Sequence, residues 1–339
     1  MDSDPLGLVK CQQCLGDLRY GDGAFACDKC SLRYPVRQNL IFMGYDRKEQ
    51  EHINKIILTE SAHQTNLDEI DKHYDFAQPS FKLSLILANM AKNDIESDGA
   101  VALDVGCAGG PTGKILSESG FNTYRCELDP NSLFSGLHWK HKNLQFGKHI
   151  VCDTQWLPFP NESADLVFCK ELVHHIADFA PFFREVNRVL KINGVFILAE
   201  PSINYRDRLA QILGLSQDKH YGHHYQVNSA YLKSLKESSF QLYRYFIYDY
   251  QLKRPLFLNA DEGPKKNRLP HSSLKMKFQR AFGGSNVFFL RKTANLRQYP
   301  KRPQIELINS KCLLLTDDYL EDERLKKFHQ ILHQAAQGK

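Results

Sequence analysis

The sequence contains no long apolar run, and this absence limits the kind of protein it encodes. No stretch of the 339 residues approaches the roughly 20 consecutive apolar residues that a membrane-spanning helix needs. The first residues, MDSDPLGLVKCQQC, lack the order of basic and then apolar residues that is typical of a secretory signal peptide. We therefore expect a cytoplasmic protein.

The cysteines do not suit a disulfide framework, but four of them are clustered. The chain has nine cysteines, an odd number, which argues for thiols that are kept reduced. Cys11 and Cys14 form one Cys-x-x-Cys pair, and Cys27 and Cys30 form a second pair after twelve further residues. Two such turns joined by a hairpin present four thiolates at the corners of a tetrahedron. We predict a structural Zn²⁺ site in a small zinc ribbon over residues 1–45.

A glycine-rich stretch, VALDVGCAGGPTGKIL at residues 101–116, lacks the two common phosphate-binding patterns. A dinucleotide fingerprint beginning at Gly106 would require glycine where Ala108 and Pro111 stand. A P-loop requires Lys and then Ser or Thr after its last glycine, whereas Lys114 is followed by isoleucine. The stretch predicts a tight turn at the end of a strand, but not a phosphate loop.

Apolar strands alternate with helical patterns from this stretch onward, which favours an α/β fold with a parallel, doubly wound sheet. The predicted strands are 101–105, 122–127, 148–152, 164–169 and 194–201, with helices near 111–119, 131–140 and 179–190. A late antiparallel pair at 240–250 and 285–292 closes the sheet. A helix over 80–94 covers it, with Phe81, Leu85 and Ala88 on its apolar face. Ligands of such a sheet bind at the carboxyl ends of its strands.

The pattern Asp104, Gly106, Ala108 and Gly110, followed by an acid at the end of the next strand, resembles motif one of class I S-adenosylmethionine-dependent methyltransferases. The resemblance continues through LPFPNESADLVFCKELVHHI and REVNRVLKINGVFILAEP. It implies the mostly parallel seven-stranded sheet of that family and S-adenosyl-L-methionine as the cofactor.

The resemblance also implies which residues hold the cofactor. Glu127 matches the acid that holds both ribose hydroxyls, although Asp129 competes for that role. Asp153 matches the acid that accepts a hydrogen bond from the adenine amino group. The implied cofactor-binding residues are Asp104, Gly106, Ala108, Gly110, Glu127, Leu128, Asp153, Thr154 and Cys169. Cys169 also fits a small buried hydrophobic residue.

The N-terminal stretch resembles a second group of proteins over residues 8–43. These are small zinc ribbons that serve methyltransferases as activating subunits or as fused modules, and they share the two Cys-x-x-Cys pairs and a following YPV, here at 34–36. The resemblance implies a helper domain and no chemistry of its own. We divide the rest of the chain into a linker with covering helices (46–98), a methyltransferase domain (99–293) with a basic insertion (251–283), and a C-terminal extension (294–339).

Removal of a proton from the acceptor needs a base near the ends of the fourth and fifth strands or on a segment that covers them. We favour His223 and His224, in HYGHHYQVNS, although surface histidines explain that loop equally well. The further candidates are Lys170, Glu171, His175, Glu200 and Tyr205. The adjacent pair of histidines that includes His175 is mostly structural in the family.

The identity of the methyl acceptor is the property that the sequence predicts least directly. An Asn-Pro-Pro-Tyr signature is lacking, which argues against an adenine or glutamine target. We predict methyl transfer to an oxygen or nitrogen of a small or carrier-linked acceptor, such as a sugar or natural-product intermediate. Residues 251–283 hold eight Lys or Arg against two acids in a chain of net charge +5, so an RNA methyltransferase, or a site for another anionic ligand, is an alternative. A non-catalytic scaffold that binds S-adenosylmethionine is a third hypothesis.

Overall fold

In the computed structural model of the protein, the described residues are 7–51, 53, 79–95, 98–109, 112–134, 148–176, 178–202, 229–250, 254–256 and 284–312. The N-terminal strands are β1 Leu18–Gly21, β2 Ala24–Cys27, β3 Arg33–Arg37, β4 Leu40–Phe42 and β5 Gly44–Asp46. The later strands are β6 Val101–Val105, β7 Asn122–Glu127, β8 His149–Val151, β9 Ala164–Lys170, β10 Leu190–Ser202, β11 Phe240–Asp249, β12 Arg254–Leu256, β13 Gly284–Lys292 and β14 Ile305–Leu307. The helices are α1 Pro79–Asp94, α2 Thr112–Glu118, α3 Phe179–Val189 and α4 Ser229–Glu237.

Twelve of the described strands form one sheet, in the order β1-β2-β3-β4-β8-β7-β6-β9-β10-β13-β11-β12. The strands from β8 to β10 pair in parallel, while β13 lies antiparallel between β10 and β11. Among the seven strands from β8 to β11 in this order, four of the six pairings are parallel, so the predicted mostly parallel α/β sheet closed by an antiparallel pair is confirmed there. The predicted number of seven strands is wrong for the whole sheet, because β1 to β4 extend one edge and β12 extends the other. The direction of the strand order reverses between β6 and β9, so a crevice opens at the carboxyl ends of these strands.

The helices cover both faces of the sheet, because alternate residues of each strand point to opposite faces. Along β10, Val195 and Ile197 pack in the same apolar cluster as residues of α1 and α2. Phe196 and Leu198 pack instead in the cluster that contains residues of α3 and α4. The doubly wound arrangement predicted from the sequence is thus present. Among the described residues, no helix is long and apolar enough to cross a membrane.

The buried face of α1 differs from the predicted one. Leu83, Leu87 and Ala88 are fully buried, whereas Leu85 is 50% exposed. The prediction for Leu85 is wrong and that for Ala88 is right; the side chain of Phe81 lies outside the described residues. The reason is that apolar residues surround most of this helix, so its 3.6-residue period does not by itself select one stripe.

The N-terminal strands extend the sheet and do not form a detached unit. β4 pairs in parallel with β8, where Ile41 lies opposite Ile150, and β5 pairs antiparallel with β14. The buried side chains of Cys11, Phe25 and Tyr34 belong to the same apolar cluster as residues of α3. The domain boundaries remain a prediction, but the ribbon and the sheet share one core.

Candidate functional site

The loop after β6 turns sharply at the crevice. Gly106 has a φ of +65°, and a Cβ at this position would lie 2.7 Å from a methyl carbon of Leu172, which follows β9. Only glycine therefore suits both the conformation and the close contact. The amide of Gly106 donates to the carbonyl of Cys126 in β7 at 2.9 Å. Ala108 also has a positive φ, 44°, and Gly110 lies outside the described residues.

Glu127, at the end of β7, binds this loop through its carboxylate. The amide of Ala108 donates to Oε2 at 2.6 Å, and the amides of Leu128 and Asp129 donate to Oε1 at 2.6 and 3.1 Å. Burial raises the pKa of Glu127 to about 7, against the effect of these backbone hydrogen bonds. A carboxylate has about four acceptor positions, so three amides leave capacity for a further donor such as a hydroxyl.

Asp129, the alternative to Glu127, has a different role. Its Oδ1 accepts from the amide of Asn131 at 3.1 Å. Its Oδ2 accepts from both the amide and the hydroxyl of Ser132 at 3.0 and 2.7 Å. Asp129 thus caps the helical turn at 130–134. Glu127 also accepts three hydrogen bonds, but it is only partly buried whereas Asp129 is buried, so Glu127 is the more accessible of the two to a ribose.

Asp153 follows β8 and has one carboxylate oxygen available. Its Oδ1 caps a short 3₁₀ helix, Thr154–Trp156, by accepting from the amide of Gln155 at 2.9 Å. Its Oδ2 is buried and has no hydrogen-bond partner among the described protein atoms. Burial raises the pKa of Asp153 to about 7. A buried acceptor without a partner is costly, so this atom fits a ligand that donates an N–H, as an adenine amino group does.

Asp104, at the carboxyl half of β6, is a second buried acid with an orphan oxygen. Its Oδ2 has no hydrogen-bond partner among the described protein atoms. Burial raises the pKa of Asp104 to about 7, while the positive charges of Arg125 and Lys170 oppose that rise. Cys169, another predicted cofactor-binding residue, is fully buried in β9 beside it. Its surroundings are those of a core thiol, and a contact with cofactor remains a prediction.

Glu200 organises the segment that follows β9. Its Oε1 accepts from the amides of Leu172 and Val173 at 3.0 and 2.7 Å, and its Oε2 lies 2.8 Å from His174 Nδ1. The ring of His174 contacts that of His175, with 4.2 Å between centroids. Glu200 and His174 are both buried. This pair therefore positions the loop and His175, which agrees with the structural role expected for the adjacent histidines.

Glu171 is a partly exposed member of the predicted bases in the described part of the chain. It is a non-glycine residue with a φ of 58°, and its carboxylate accepts from the hydroxyl of Tyr250 at 2.7 Å. Such strained residues cluster at functional sites. Its neighbour Lys170 donates to the hydroxyl of Ser80 on α1. The other predicted bases, which are His223, His224 and Tyr205, lie outside the described residues.

The four cysteines of the ribbon converge as predicted. The Sγ atoms of Cys11, Cys14, Cys27 and Cys30 all lie within 4.8 Å of one another, and none is in a disulfide. A tetrahedron with Zn–S bonds of about 2.3 Å has S···S separations of roughly 3.8 Å. A Cβ on Gly16 would lie 3.0 Å from Cys27 Sγ and 3.3 Å from Cys14 Sγ, so glycine admits the close approach. The donor set fits a closed tetrahedral zinc site.

Two contributors to the site were not predicted. Gln12, between the first two cysteines, is fully buried. The hydroxyl of Tyr250 donates a hydrogen bond to the carboxylate of Glu171. A glutamine inside a metal-binding turn and a tyrosine at the end of a late strand have no distinctive local pattern. Their roles depend on segments that are distant in the sequence.

The comparisons with known proteins agree with this geometry. Residues 103–198 match a protein-family model described as a methyltransferase domain. A 2-methyl-6-phytyl-1,4-hydroquinone methyltransferase of Synechocystis sp. is 27% identical over 158 residues, which are 46% of this chain and 49% of that protein. A fatty-acid O-methyltransferase of Mycolicibacterium smegmatis is 27% identical over 181 residues, which are 52% of this chain and 60% of that protein. The chain spans about half the length of these curated relatives.

Solved structures add little beyond the fold. A geranyl diphosphate C-methyltransferase of Streptomyces coelicolor A3(2) aligns with a TM-score of 0.43 and 14% identity, over 61% of this chain and 80% of that one. A TM-score below 0.5 does not support an inference about the activity of this chain. The class of protein therefore rests on the matched segment: residues 103–198 are similar to a methyltransferase domain and extend from β6 into β10.

Proposed function

We propose that the protein is an S-adenosylmethionine-dependent methyltransferase. The observation that carries the proposal is the unpartnered Oδ2 of Asp153, a buried acceptor at the place where the family binds adenine. Glu127, with one acceptor position left, lies on the neighbouring strand and suits the ribose. The matched segment 103–198 contains Asp104, Glu127 and Asp153, the three acids that the resemblance assigns to the cofactor.

The cofactor supplies an activated methyl group on a sulfonium, and the protein positions the acceptor and removes its proton. We propose Glu171 as the base among the described residues. It lies next to Leu172, which contacts Gly106 of the cofactor loop, and it is half-exposed. The hydroxyl of Tyr250 orients its carboxylate at 2.7 Å. Glu171 would accept the proton that leaves the acceptor oxygen or nitrogen during methyl transfer.

The acceptor that we propose is a small or carrier-linked molecule. The relatives include enzymes named for a hydroquinone, a fatty acid and a malonyl-[acyl-carrier protein]. The alternative, an RNA substrate, would be favoured by a basic ribbon, but two of the cations of the ribbon hairpin are paired with acids. Arg19 lies 2.8 Å from Asp28, and Lys10 lies 2.7 Å from Asp17. The basic insertion on which that alternative rests lies almost wholly outside the described residues.

We propose that zinc in the ribbon is structural. Four thiolates leave no open position for a substrate or for water. Metal content measured on the purified protein should be about one zinc per chain, and substitution of Cys27 by Ser should lower it. Protein purified from zinc-replete medium with no bound metal would contradict the assignment.

Two measurements test the proposed activity. S-adenosylhomocysteine should bind the protein in isothermal titration, and Asp153→Ala should weaken that binding by about tenfold or more. Protein incubated with methyl-labelled S-adenosylmethionine and fractions of a cell extract should label small molecules or acyl carriers. Label in RNA alone would favour the alternative acceptor. Binding without transfer to any fraction would favour the scaffold hypothesis.

The proposed base has its own test. Glu171→Gln should lower kcat by roughly 10²–10⁴ while leaving the Kd of S-adenosylhomocysteine unchanged. Loss of cofactor binding in this variant would instead show that Glu171 maintains the loop. His175→Asn, on the same segment, is the matched comparison, and a larger loss of kcat there would transfer the role to His175.

A further inference from the structure

Gln12 joins the first cysteine pair to the sheet through its side-chain amide. Its Oε1 accepts from the amide of Gly44 at 2.6 Å, and its Nε2 donates to the carbonyl of Gly44 at 2.9 Å. The same Nε2 also donates to the carbonyl of Trp156 at 2.8 Å. Gln12 is fully buried, so these three bonds are made away from water. When both the oxygen and the nitrogen of a buried side-chain amide have hydrogen-bond partners, the amide fixes the relative positions of the groups that it binds.

Both partners of Gln12 bear directly on Asp153. The carbonyl of Gly44 also accepts from the amide of Asp153 at 3.1 Å. Trp156 ends the 3₁₀ helix that Asp153 caps, and its own amide donates to the carbonyl of Asp153 at 3.1 Å. Gln12 therefore holds the backbone on both sides of the Asp153 carboxylate, from a distance of more than a hundred positions in sequence.

The segment that follows β5 borders the same place. The side-chain amide of Gln155 donates to Glu49 at 3.3 Å, and Glu49 belongs to the short 3₁₀ helix Arg47–Glu49. The N-terminal part of the chain thus contacts the Asp153 turn through Gly44 and through Glu49. Both contacts lie on the strand-end side where the unpartnered Oδ2 of Asp153 is buried.

We infer that the first cysteine pair is part of the cofactor site, with Gln12 as the positioning residue that aims Asp153 Oδ2 at the adenine amino group. The inference rests on the proposed function. It assigns the ribbon a task at the methyl-donor site, since its metal-bound turn fixes the one acceptor that reads the 6-position of the base. A ribbon that served only to stabilise the chain, or only to bind an acceptor, would not affect recognition of that position.

The test compares two ligands that differ at the 6-position and in the hydrogen on the adjoining N1. The Kd of S-adenosylhomocysteine and of S-inosylhomocysteine, in which an oxo group replaces the 6-amino group, is measured by isothermal titration on the full chain. The wild type should prefer the adenosyl compound by about tenfold or more, because the inosyl compound places an acceptor against the carboxylate. Gln12→Met, which keeps the volume and removes the amide, should reduce that preference at least about threefold, toward the value for Asp153→Ala.

Gln13→Met is the matched control. Gln13 lies in the same turn, but its side-chain amide donates to the carbonyl of Pro303 at 2.8 Å and accepts from the amide of Ile305 at 2.9 Å, on a different segment from the Asp153 turn. The Gln13→Met variant should retain the wild-type preference for S-adenosylhomocysteine over S-inosylhomocysteine. Zinc content and thermal unfolding of each variant show whether the ribbon remains folded, and Gln12→Asn, which shortens the amide by one methylene, serves if Gln12→Met does not fold.

The outcomes separate the inference from the function on which it rests. A wild-type preference in the folded Gln12 variants, or an equal loss in Gln13→Met, overturns the role of Gln12. Equal binding of the two ligands by the wild type overturns it as well, while leaving a methyl-donor site in place. Binding of neither ligand by the wild type overturns the proposed function itself.

Discussion

The two Cys-x-x-Cys turns of the ribbon have the same spacing and opposite surroundings. In the first turn, residues 11–14, Cys11 and Gln12 are fully buried. In the second turn, residues 27–30, both intervening residues, Asp28 and Lys29, are exposed, as is Cys30. One motif therefore has a side that is part of the protein core and a side that faces solvent.

The difference shows that a metal site can be structural in two ways at once. In the second turn, the thiolates shape the chain locally, and polar groups are satisfied by solvent or by exposed ion pairs. In the first turn, the same ligand geometry presents Gln12 and Gln13 to three distant segments. A metal bound there would order not only the hairpin but also the edge of the sheet to which the turn is bonded.

The largest expected effect is at the buried charges behind the first turn. Glu185 accepts from Arg188 at 2.7 and 2.9 Å and from Arg302 at 2.8 Å, and Arg302 also donates to the carbonyl of Gln12 at 2.5 Å. Glu185→Gln should lower the free energy of unfolding by about 3–5 kcal/mol, since it leaves two buried guanidinium groups without a counter-charge. Urea unfolding followed by circular dichroism measures this.

The control for that prediction is an ion pair on the surface. Lys233 and Glu237 lie 3.7 Å apart with both side chains mostly exposed, so Glu237→Gln should change the free energy of unfolding by less than about 0.5 kcal/mol. A loss of under 1 kcal/mol in Glu185→Gln would mean that the first turn is not anchored through this cluster.

The second-largest expected effect is on the pH dependence of the free energy of unfolding, which should differ between the buried Asp153 turn and the solvent side of the ribbon. The pKa of Asp153 is raised by burial to about 7, against about 3.9 in an unfolded chain. Its contribution to stability is therefore complete below about pH 4 and is lost as the pH rises through about 7. The free energy of unfolding without cofactor should fall by about 2 kcal/mol from this group between pH 5.5 and 7. Asp153→Asn should remove that part of the fall.

Asp17, on the solvent side of the ribbon, is the matched comparison for this titration. Lys10 lowers its pKa through a hydrogen bond and charge attraction, so Asp17 stays ionised across the same pH window in both states. Asp17→Asn should leave the pH slope unchanged. An unchanged slope in Asp153→Asn would show that its carboxyl is ionised at pH 5.5 in the fold.

A third effect concerns the space between the two turns. A methyl group at Gly16 would lie 2.9 Å from Lys29 Cβ and 3.0 Å from Cys27 Sγ, whereas one at Gly21 would meet no atom within 4 Å. Gly16→Ala should therefore release zinc to a chelator about tenfold more readily, the equivalent of roughly 1–3 kcal/mol of overpacking. Gly21→Ala should behave as wild type, and equal release from the two variants would contradict the prediction.

The smallest effect is expected in the second turn. Arg19 pairs with Asp28 at 2.8 Å, but its side chain is 81% exposed. Arg19→Ala should change thermal stability and metal retention little, by less than about 0.5 kcal/mol. A loss above 1 kcal/mol would remove the contrast between the two turns, because it would show that the exposed side is also bound in place.

Much of the fold was accessible from the sequence because its signals are local. The strands 101–105 and 122–127 coincide with β6 and β7. The first is a largely apolar run that ends at Gly106, and the second follows from the alternation of strands and helices. β10 begins at Leu190, earlier than the predicted 194, because Leu190 pairs with Ala164 before an irregularity in the register. Local pattern does not report such a long-range pairing.

The candidate site likewise has features that the sequence predicts and features that only the folded structure shows. The carboxylates Asp104, Glu127 and Asp153 follow predicted strands, so their meeting at one crevice follows from the topology of a parallel sheet. The choice of Glu127 over Asp129 does not, because both are acids at the end of one strand. Only burial in the folded chain separates the two, because Asp129 is buried while Glu127 is partly exposed. For the preferred bases His223 and His224, which lie outside the described residues, the prediction stands untested.

By itself, the sequence determined the alternation of strands and helices, the four-thiolate site and the positions of the strand-end acids. These properties depend on residue periodicity and on spacing within short segments. Only the tertiary structure decided that the ribbon continues the sheet, that Gln12 supports Asp153 and that Glu171 faces Tyr250. Those relations join segments that are far apart in the chain, and burial, which decides whether a polar group must find a partner, is a property of the packed molecule.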